Sequence, residues 1–163
     1  MSEYKQGYYN PINAEKYVGK KVPFCRSSWE FAVCDFFDNA SFVHEWASEP
    51  FAIQYEWINQ HGTTVWKPYV PDFYVKMETN TGIRKFIVEV KPKRQANSPK
   101  EPKKKTPKAM KRYLGEQVLY RKNQSKWFYA RKFCEKHGFE FKVITEDDLP
   151  KKYRGTPRRR KTT

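Results

Sequence analysis

The sequence has few cysteine, histidine and acidic residues, and each shortage excludes a class of protein. Its three cysteines, Cys25, Cys34 and Cys134, are an odd number without a CxxC pair, and the three histidines lack ligand spacing. These patterns indicate reduced thiols and predict neither a disulfide framework nor a zinc site. No run of about 18 apolar residues predicts a transmembrane helix. The N-terminal residues contain no signal-peptide pattern.

The shortage of acidic residues gives the chain a strong positive charge. Lys and Arg number 33 against 18 Asp and Glu, a formal net charge of +15. Such an excess favours a polyanionic partner, for which nucleic acid is the first candidate and an anionic membrane surface the alternative. Hydrophobic residues make up 38% and aromatic residues 17% of the 163 residues, which is enough for the core of one domain.

Apolar spacing and turn residues predict an α/β (α+β) chain with one domain over 26–149, an extended arm over 1–25 and a basic tail over 150–163. A helix is predicted from Arg26 to Asn39, because Ser27 and Glu30 form a capping box before an apolar run. The other predicted elements follow in chain order. They are a strand over 46–55 that Pro50 breaks early, strands over 63–67, 72–77 and 86–91, a flexible basic loop over 92–107, helices over 108–122 and 125–137, and a strand over 139–145.

The most informative pattern combines Pro71-Asp72 with Glu89-Val90-Lys91. Side chains alternate across a strand, so Glu89 and Lys91 share one side of the predicted strand 86–91. Asp72 opens the preceding strand, and Asn80-Thr81-Gly82 predicts a hairpin turn between the two strands, so the Asp72 carboxylate is expected beside Glu89. Two adjacent carboxylates repel each other, and a divalent cation removes that cost. Hence we predict a magnesium or manganese site at which Lys91 contacts a phosphate or orients the attacking water.

Lysine and arginine follow directly on this strand, with Glu101 as the acidic residue among them. Such a loop grips the DNA backbone by neutralising phosphates, which gives salt-sensitive affinity with little sequence information. A solvated linker is the alternative interpretation. The predicted DNA-binding residues are Lys93, Arg94, Lys100, Lys103, Lys104 and Lys105 in the loop, and Arg158, Arg159 and Arg160 in the tail.

The motif order resembles the PD-(D/E)xK, or restriction-endonuclease-like, nuclease superfamily. Pro71-Asp72 matches its PD element and Glu89-Val90-Lys91 its (D/E)xK element. The resemblance implies a central mixed β-sheet flanked by helices and metal-dependent hydrolysis of phosphodiester bonds. In that superfamily a further glutamate often comes from the first core helix. Glu30 is in the matching position, although it could serve only the capping box.

A closer resemblance covers most of residues 20–149. The segments at 26–30, 47–51, 71–73 and 145–149 resemble the head-completion nucleases of tailed phages, and the final helix and strand resemble the N-terminal nuclease domain of the TnsA transposase subunit. This resemblance implies action on DNA in packaged heads, portal, head or neck proteins as partners, and a place in the host cytoplasm during infection or in the virion.

Two further residues are candidates for support of the site. Glu49 lies before the strand of Asp72 and is either an additional acid of the site or a loop carboxylate that pairs with a lysine. Gln117 follows the strand of Glu89 on a helix, where some superfamily members place a glutamine and a tyrosine. The segment Gln117-Val118-Leu119-Tyr120 has one fewer intervening residue than the RecB-like pattern.

Two other functions remain open at this stage. One is a non-catalytic virion protein that binds DNA through its charge on a nuclease-like fold. The other is a junction-resolving nuclease, which shares the core and is usually a dimer. No feature of the sequence defines a dimer surface or the oligomeric state.

Overall fold

A computed structural model describes residues 6–153, and Arg158, Arg159 and Arg160 lie outside this range. The helices are α1 (Ser28–Asn39), α2 (Lys93–Ala96) and α3 (Pro107–His137). Across the described residues no helix has both the length and the apolar character needed to cross a bilayer. The strands are β1 (Gly7–Tyr8), β2 (Phe24–Cys25), β3 (Val43–Ser48), β4 (Ile53–Ile58), β5 (Thr64–Tyr69), β6 (Phe73–Thr79), β7 (Gly82–Val90) and β8 (Glu140–Ile144).

The central sheet has four strands in the order β3-β6-β7-β8. The pairs β3–β6 and β6–β7 are antiparallel, whereas β8 runs parallel to β7. The parallel pair requires a long crossover, and α3 supplies it. The predicted α+β fold, a mixed sheet flanked by helices, is therefore confirmed. The strands β4 and β5 form a separate two-stranded sheet, and β1 pairs with β2.

Each face of the central sheet packs against a different helix. Phe86 and Val88 of β7 join Val33, Cys34 and Phe37 of α1 in one buried cluster. Ile87 and Glu89 alternate to the opposite face. There α3 packs against β4 and β8, and Ala130 joins Ile53, Tyr55 and Tyr69 in a second cluster. The second face therefore carries Glu89 into a space between the sheet, the β4–β5 hairpin and α3.

Side-chain caps and one glycine define ends of the two long helices, and the predicted cap at Ser27 is among them. Ser27 Oγ accepts a hydrogen bond from the Glu30 N–H at 3.2 Å and caps α1. Thr106 caps α3 in the same way, and Gly138 ends α3 with φ of 76°. The three cysteines are free thiols and all are buried.

Several predicted boundaries are wrong. The loop predicted over 92–107 contains the short helix α2, and the strand predicted over 86–91 begins already at Gly82. The strand predicted over 46–55 is two strands in different sheets, because Glu49 has φ of 47° and Pro50 lacks an N–H for pairing. The two helices predicted over 108–122 and 125–137 are one helix of 31 residues, about 46 Å long. Asn123 lies within it and is buried, so its polar side chain does not interrupt the helix.

The segment before α1 packs on the domain through Asp38, a fully buried acid at the end of α1. Asp38 accepts hydrogen bonds from the Tyr9 hydroxyl and from the backbone N–H groups of Ile12 and Asn13, at 2.7–3.0 Å. Further along, the Tyr17 ring lies edge-on to Trp46 with 4.7 Å between ring centres. These contacts cover the α1 side of the core with residues that precede the domain predicted to begin at residue 26.

Candidate active site

Asp72 directly precedes β6, and both neighbouring strands fix its position. Its carbonyl accepts a hydrogen bond of 2.8 Å from the Glu49 N–H at the end of β3. Its carboxylate Oδ2 accepts one of 2.7 Å from the Val90 N–H of β7. Because Phe73 pairs with Val88, the register brings Asp72 level with the end of β7 that carries Glu89. The hairpin turn at Asn80–Gly82 therefore unites the two elements of the sequence motif.

Glu89 is only 4% exposed, and its two carboxylate oxygens have different partners. Oε1 lies 3.0 Å from the Lys91 Nζ, in a half-buried ion pair. Oε2 accepts a hydrogen bond of 2.5 Å from the hydroxyl of Tyr69 at the end of β5. The Lys91 N–H in turn donates to the Ile144 carbonyl at 3.0 Å, which fixes the chain where β7 ends. The site is thus built from the ends of β5 and β7 and the start of β6.

Burial and like charge dominate the electrostatics of the site. The pKa of Asp72 is raised well above its ordinary value, first by burial and next by the charge of Glu89, although the Val90 hydrogen bond opposes this. Burial by itself would lower the pKa of Lys91. The charge and hydrogen bond of Glu89, together with the charges of Asp72 and Glu30, outweigh this effect, and the pKa of Lys91 is raised. Lys91 is therefore a charged ammonium at neutral pH and is not suited to accept a proton.

Glu30 has partners in the cap of α1 and also acts electrostatically on the site. Its Oε2 accepts a hydrogen bond of 2.9 Å from the Arg26 N–H, one residue before the position expected for a capping box. Burial is the main cause that raises the pKa of Glu30. Its negative charge also raises the pKa values of Asp72 and Lys91. Both interpretations of Glu30, as cap and as site residue, fit these contacts.

Glu49 and Gln117 have side-chain partners away from the carboxylate pair. The Glu49 carboxylate forms a 2.6 Å ion pair with Arg26, so its predicted lysine partner is replaced by an arginine. Gln117 donates a 2.8 Å hydrogen bond to the Tyr113 hydroxyl one turn earlier on α3. Glu49 contacts Asp72 through the hydrogen bond of its backbone N–H to the Asp72 carbonyl. The side-chain hydrogen bond of Gln117 is made within α3 and not to Asp72 or Glu89.

The predicted DNA-binding residues of the loop are exposed and begin two residues after Lys91. Lys93 pairs with Asp147 at 2.7 Å, and Lys105 pairs with Glu101 at 2.9 Å. Within residues 6–153 no ion pair neutralises the remaining four loop cations, which leaves their charge available to a polyanion. They are Arg94, Lys100, Lys103 and Lys104.

Two residues near the site were missed by sequence reasoning. Tyr69 is one, and Lys126 of α3 is the other. The Lys126 Nζ lies 5.5 Å from the ring centre of Tyr69 and 5.6 Å from that of Tyr55. Burial, as the main cause, lowers the pKa of Lys126, while the charge of Glu89 opposes that shift.

A helical pattern could have revealed Lys126. Asn123, Lys126, Trp127 and Ala130 follow the spacing i, i+3, i+4 and i+7, which defines one face of a helix. Polar residues on an otherwise buried face are a signal of function. The break predicted between residues 122 and 125 left Asn123 outside both helices and separated it from Lys126, Trp127 and Ala130 in the second one. No comparable pattern marks Tyr69.

The donor set suits a hard cation. Asp72 and Glu89 offer only oxygen ligands, and magnesium takes one or two carboxylates together with water and substrate phosphate oxygens. In the described part of the chain, no three His, Cys, Asp or Glu residues form a group that could enclose an ion. The residues therefore fit an ion that the substrate and water complete, rather than a closed protein cage.

Comparison with known proteins places this geometry in a family. Residues 41–146 match the model of the TnsA-like endonuclease N-terminal domain, and this range contains the sheet, Asp72, Glu89 and Lys91. The chain belongs to that restriction-endonuclease-like family. It is also 32% identical over 145 residues to the head completion nuclease of Enterobacteria phage T4, across 88% of this chain and 92% of that protein. Both predicted resemblances are therefore confirmed.

Proposed function

We propose that this protein is a DNA endonuclease of the PD-(D/E)xK type that requires magnesium or manganese. The observation that carries the proposal is the junction of β6 and β7. There the Asp72 carboxylate is bonded to the Val90 N–H, and the neighbouring Glu89 holds Lys91 at 3.0 Å. This arrangement lies inside the region that matches the endonuclease family. The net charge of +15 suits a DNA substrate.

Each polar side chain of the site has a role in this proposal. Asp72 and Glu89 would hold the cation, which when bound activates water and stabilises negative charge on the phosphate. Lys91 offers its ammonium to an oxygen of the scissile phosphate. Tyr69 fixes the orientation of Glu89, and Glu30 adds negative charge from α1. Arg94 and its neighbouring loop cations hold the DNA backbone beside the site.

We further infer that the cleavage serves the completion of phage heads. Support comes from the name of the phage T4 relative, which is matched over 92% of its length. Under this proposal the protein works in the host cytoplasm during infection and stays in or on the virion. Its partners would be DNA and the portal, head or neck proteins of the particle.

Nicking of supercoiled plasmid at low salt tests the enzymatic proposal. Wild type, Asp72→Ala and Lys91→Ala are each incubated with magnesium, manganese or a chelator. The expected result is relaxation of plasmid by the wild type with metal, and no relaxation with chelator or with either variant. Equal relaxation by wild type and Asp72→Ala would remove Asp72 from the mechanism.

A second candidate is a virion protein that binds DNA without cutting it. One observation favours it, because four exposed loop cations have no ion-pair partner among residues 6–153 and could hold DNA without any catalysis. This candidate requires salt-sensitive DNA binding and no cleavage with either metal. Phage infectivity that survives Asp72→Ala but not Arg94→Ala with Lys100→Ala would favour it over the nuclease.

A further inference from the structure

A cavity of about 710 Å³ lies beside the candidate active site, between the segment after β7 and the middle of α3. Residues 93–100 form one wall. The other wall is a single face of α3, since its lining residues follow helical spacing. They are Arg112, Glu116, Leu119, Tyr120 and Asn123.

Asn123 provides the clearest sign that this cavity takes a ligand. It is only 3% exposed, it lines the cavity, and its amide makes no side-chain hydrogen bond within the described residues. The fully buried side-chain polar atoms without a partner among residues 6–153 are Trp46 Nε1 and Trp127 Nε1, so the unpaired Asn123 amide keeps access to the cavity, where a ligand can bond to it in place of water. An asparagine amide offers a donor and an acceptor side by side, which matches the edge of a nucleobase.

The distribution of charge in the cavity indicates that the ligand next to Asn123 is a base and not a bare phosphate. The exposed cations Arg94 and Lys100 lie along the wall formed by residues 93–100, where Lys93 is already paired with Asp147. The Arg112 charge is offset by Glu116 at 3.1 Å. Next to Asn123 the helical wall carries Leu119 and Tyr120, an apolar and an aromatic side chain. Cations at the outside suit phosphates of a strand, and a neutral amide with an aromatic neighbour suits a base.

The cavity is also close to the proposed reaction. Lys93 lines it and is two residues after Lys91, and two residues of chain span at most about 7 Å. The volume lies within the range of small-molecule pockets. A nucleotide next to a phosphate held by Lys91 therefore has its base within reach of the cavity.

We propose that this cavity, which we call the base cavity, binds an unpaired nucleobase of the DNA strand beside the scissile phosphate, with the Asn123 amide hydrogen-bonded to the base edge. The inference rests on the proposed function, because it assumes DNA at Lys91. It extends that function by naming the substrate class as DNA with unpaired nucleotides, such as single-stranded ends. Duplex DNA would first have to open at the base, which is unfavourable.

Binding measurements test the base cavity separately from cleavage. A duplex with a two-nucleotide single-stranded end is compared with the same duplex whose overhang nucleotides are abasic, both in chelator by fluorescence anisotropy. The phosphates are identical, so only base contacts differ. We expect the abasic DNA to bind about tenfold more weakly, since it loses both the hydrogen bond of the base edge to Asn123 and the stacking of the base on Tyr120. Equal affinity of the wild type for both DNAs would overturn the inference.

A variant of Asn123, on the α3 wall of the base cavity, provides the second test. Asn123→Leu keeps the size of the side chain and removes its amide, and Gln124→Met is the matched control outside the cavity lining. We expect Asn123→Leu to reduce the preference for base over abasic DNA to less than threefold, and Gln124→Met to preserve it. Thermal unfolding shows whether each variant is folded. A folded Asn123→Leu protein with the full preference would contradict the role of Asn123.

Two further measurements distinguish a free nucleotide from a DNA base as the ligand, and failure of the nuclease proposal from failure of the base-cavity proposal. A free deoxynucleoside monophosphate that competes as strongly as the overhang duplex would assign the cavity to a free nucleotide and overturn the DNA proposal. Failure of the wild type to cut plasmid removes the nuclease proposal but leaves the preference for base over abasic DNA measurable. Cleavage together with equal binding of both DNAs would reject the base cavity alone.

Discussion

The Tyr69 hydroxyl donates a 2.5 Å hydrogen bond to the same carboxylate that pairs with Lys91, so Glu89 lies between a neutral donor and a cation. The Tyr69 side chain is itself buried, with 4% exposure. A carboxylate held on both oxygens has one orientation, which a metal ligand requires. Tyr69 thus acts on the proposed reaction through Glu89.

Tyr69→Phe tests this relationship. Loss of a hydrogen bond to a charged group costs about 1.5–3 kcal/mol of unfolding free energy. We expect a lower melting temperature and about tenfold slower cleavage, equal to about 1.4 kcal/mol in the barrier. Tyr74→Phe is the control, because it removes a hydroxyl bonded to Glu45 at 3.1 Å outside the site. Equal cleavage by Tyr69→Phe and wild type would show that Tyr69 does not orient Glu89.

Asp72→Asn should stabilise the protein in the absence of metal. The raised pKa of Asp72 means that its ionised form is unfavourable in the fold, so its stability contribution is lost as pH rises through the raised value. Asparagine removes the charge and retains an oxygen for the Val90 N–H. In chelator we expect a melting temperature about 2–4 °C above wild type at about pH 8, for about 1 kcal/mol.

The difference between Asp72→Asn and wild type should shrink as pH falls and Asp72 takes up a proton. Asp35→Asn is a control for the loss of one acid, because Asp35 is on α1 outside the carboxylate pair. A melting temperature of Asp72→Asn below that of wild type at about pH 8 would contradict the electrostatic cost assigned to Asp72.

Two variants separate the possible roles of Glu30, which are to cap α1 and to act in the candidate active site. Glu30→Gln keeps an oxygen that can accept the Arg26 N–H, so we expect stability close to wild type together with slower cleavage. Ser27→Ala removes the cap from the Glu30 N–H and should cost about 1 kcal/mol of unfolding free energy with cleavage retained. Unchanged cleavage by Glu30→Gln would leave Glu30 with the cap alone. Melting curves and plasmid nicking rates supply both readouts.

Lys126 is the second cation of the site. Lys126→Met keeps the packing of the aliphatic chain on Tyr55 and Tyr69 but removes the charge near Glu89. We expect slower cleavage and weaker DNA binding. Lys122→Met, one turn earlier over Trp57, is the matched control and should have a smaller effect. Cleavage rates that do not distinguish the two variants would exclude a particular role for Lys126.

The unpaired loop cations should set the salt dependence of DNA binding. If Arg94 and Lys100 each neutralise one phosphate, alanine at both lowers the slope of log affinity against log salt by about 1.8. Arg131→Ala with Lys132→Ala, on α3 toward its C-terminal end, tests for a simple loss of net charge. An equal change of slope in both double variants would mean that the loop has no special contact with DNA.

Local sequence signals predicted the elements that meet at the site. The alternation in β7 and the turn at Asn80–Gly82 together predicted that Asp72 lies beside Glu89. The caps at Ser27 and Gly138 also follow from local chemistry. Each of these features depends on residues that are near in sequence, so the pattern contains the physical cause.

Features that depend on distant packing were not predictable in this way. Tyr69 bonds Glu89 across 20 residues, and Lys126 reaches the site only because α3 packs on the β4–β5 hairpin. The division of residues 46–55 between two sheets depends on the positive φ of Glu49. Asn123 was an apparent gap between helices because its burial follows from the packing of α3 in the whole domain.

Single-turnover cleavage measured beside DNA binding tests the central claim most directly. Each protein, wild type or Asp72→Asn, is mixed in excess over one end-labelled DNA in magnesium or manganese, and the cleavage rate is measured. The affinity of each protein for the same DNA is measured separately in chelator. We predict cleavage by the wild type only, with affinities that differ by less than about threefold, or about 0.7 kcal/mol. Metal-dependent cleavage by Asp72→Asn at the wild-type rate would contradict the claim that Asp72 and Glu89 form the nuclease site.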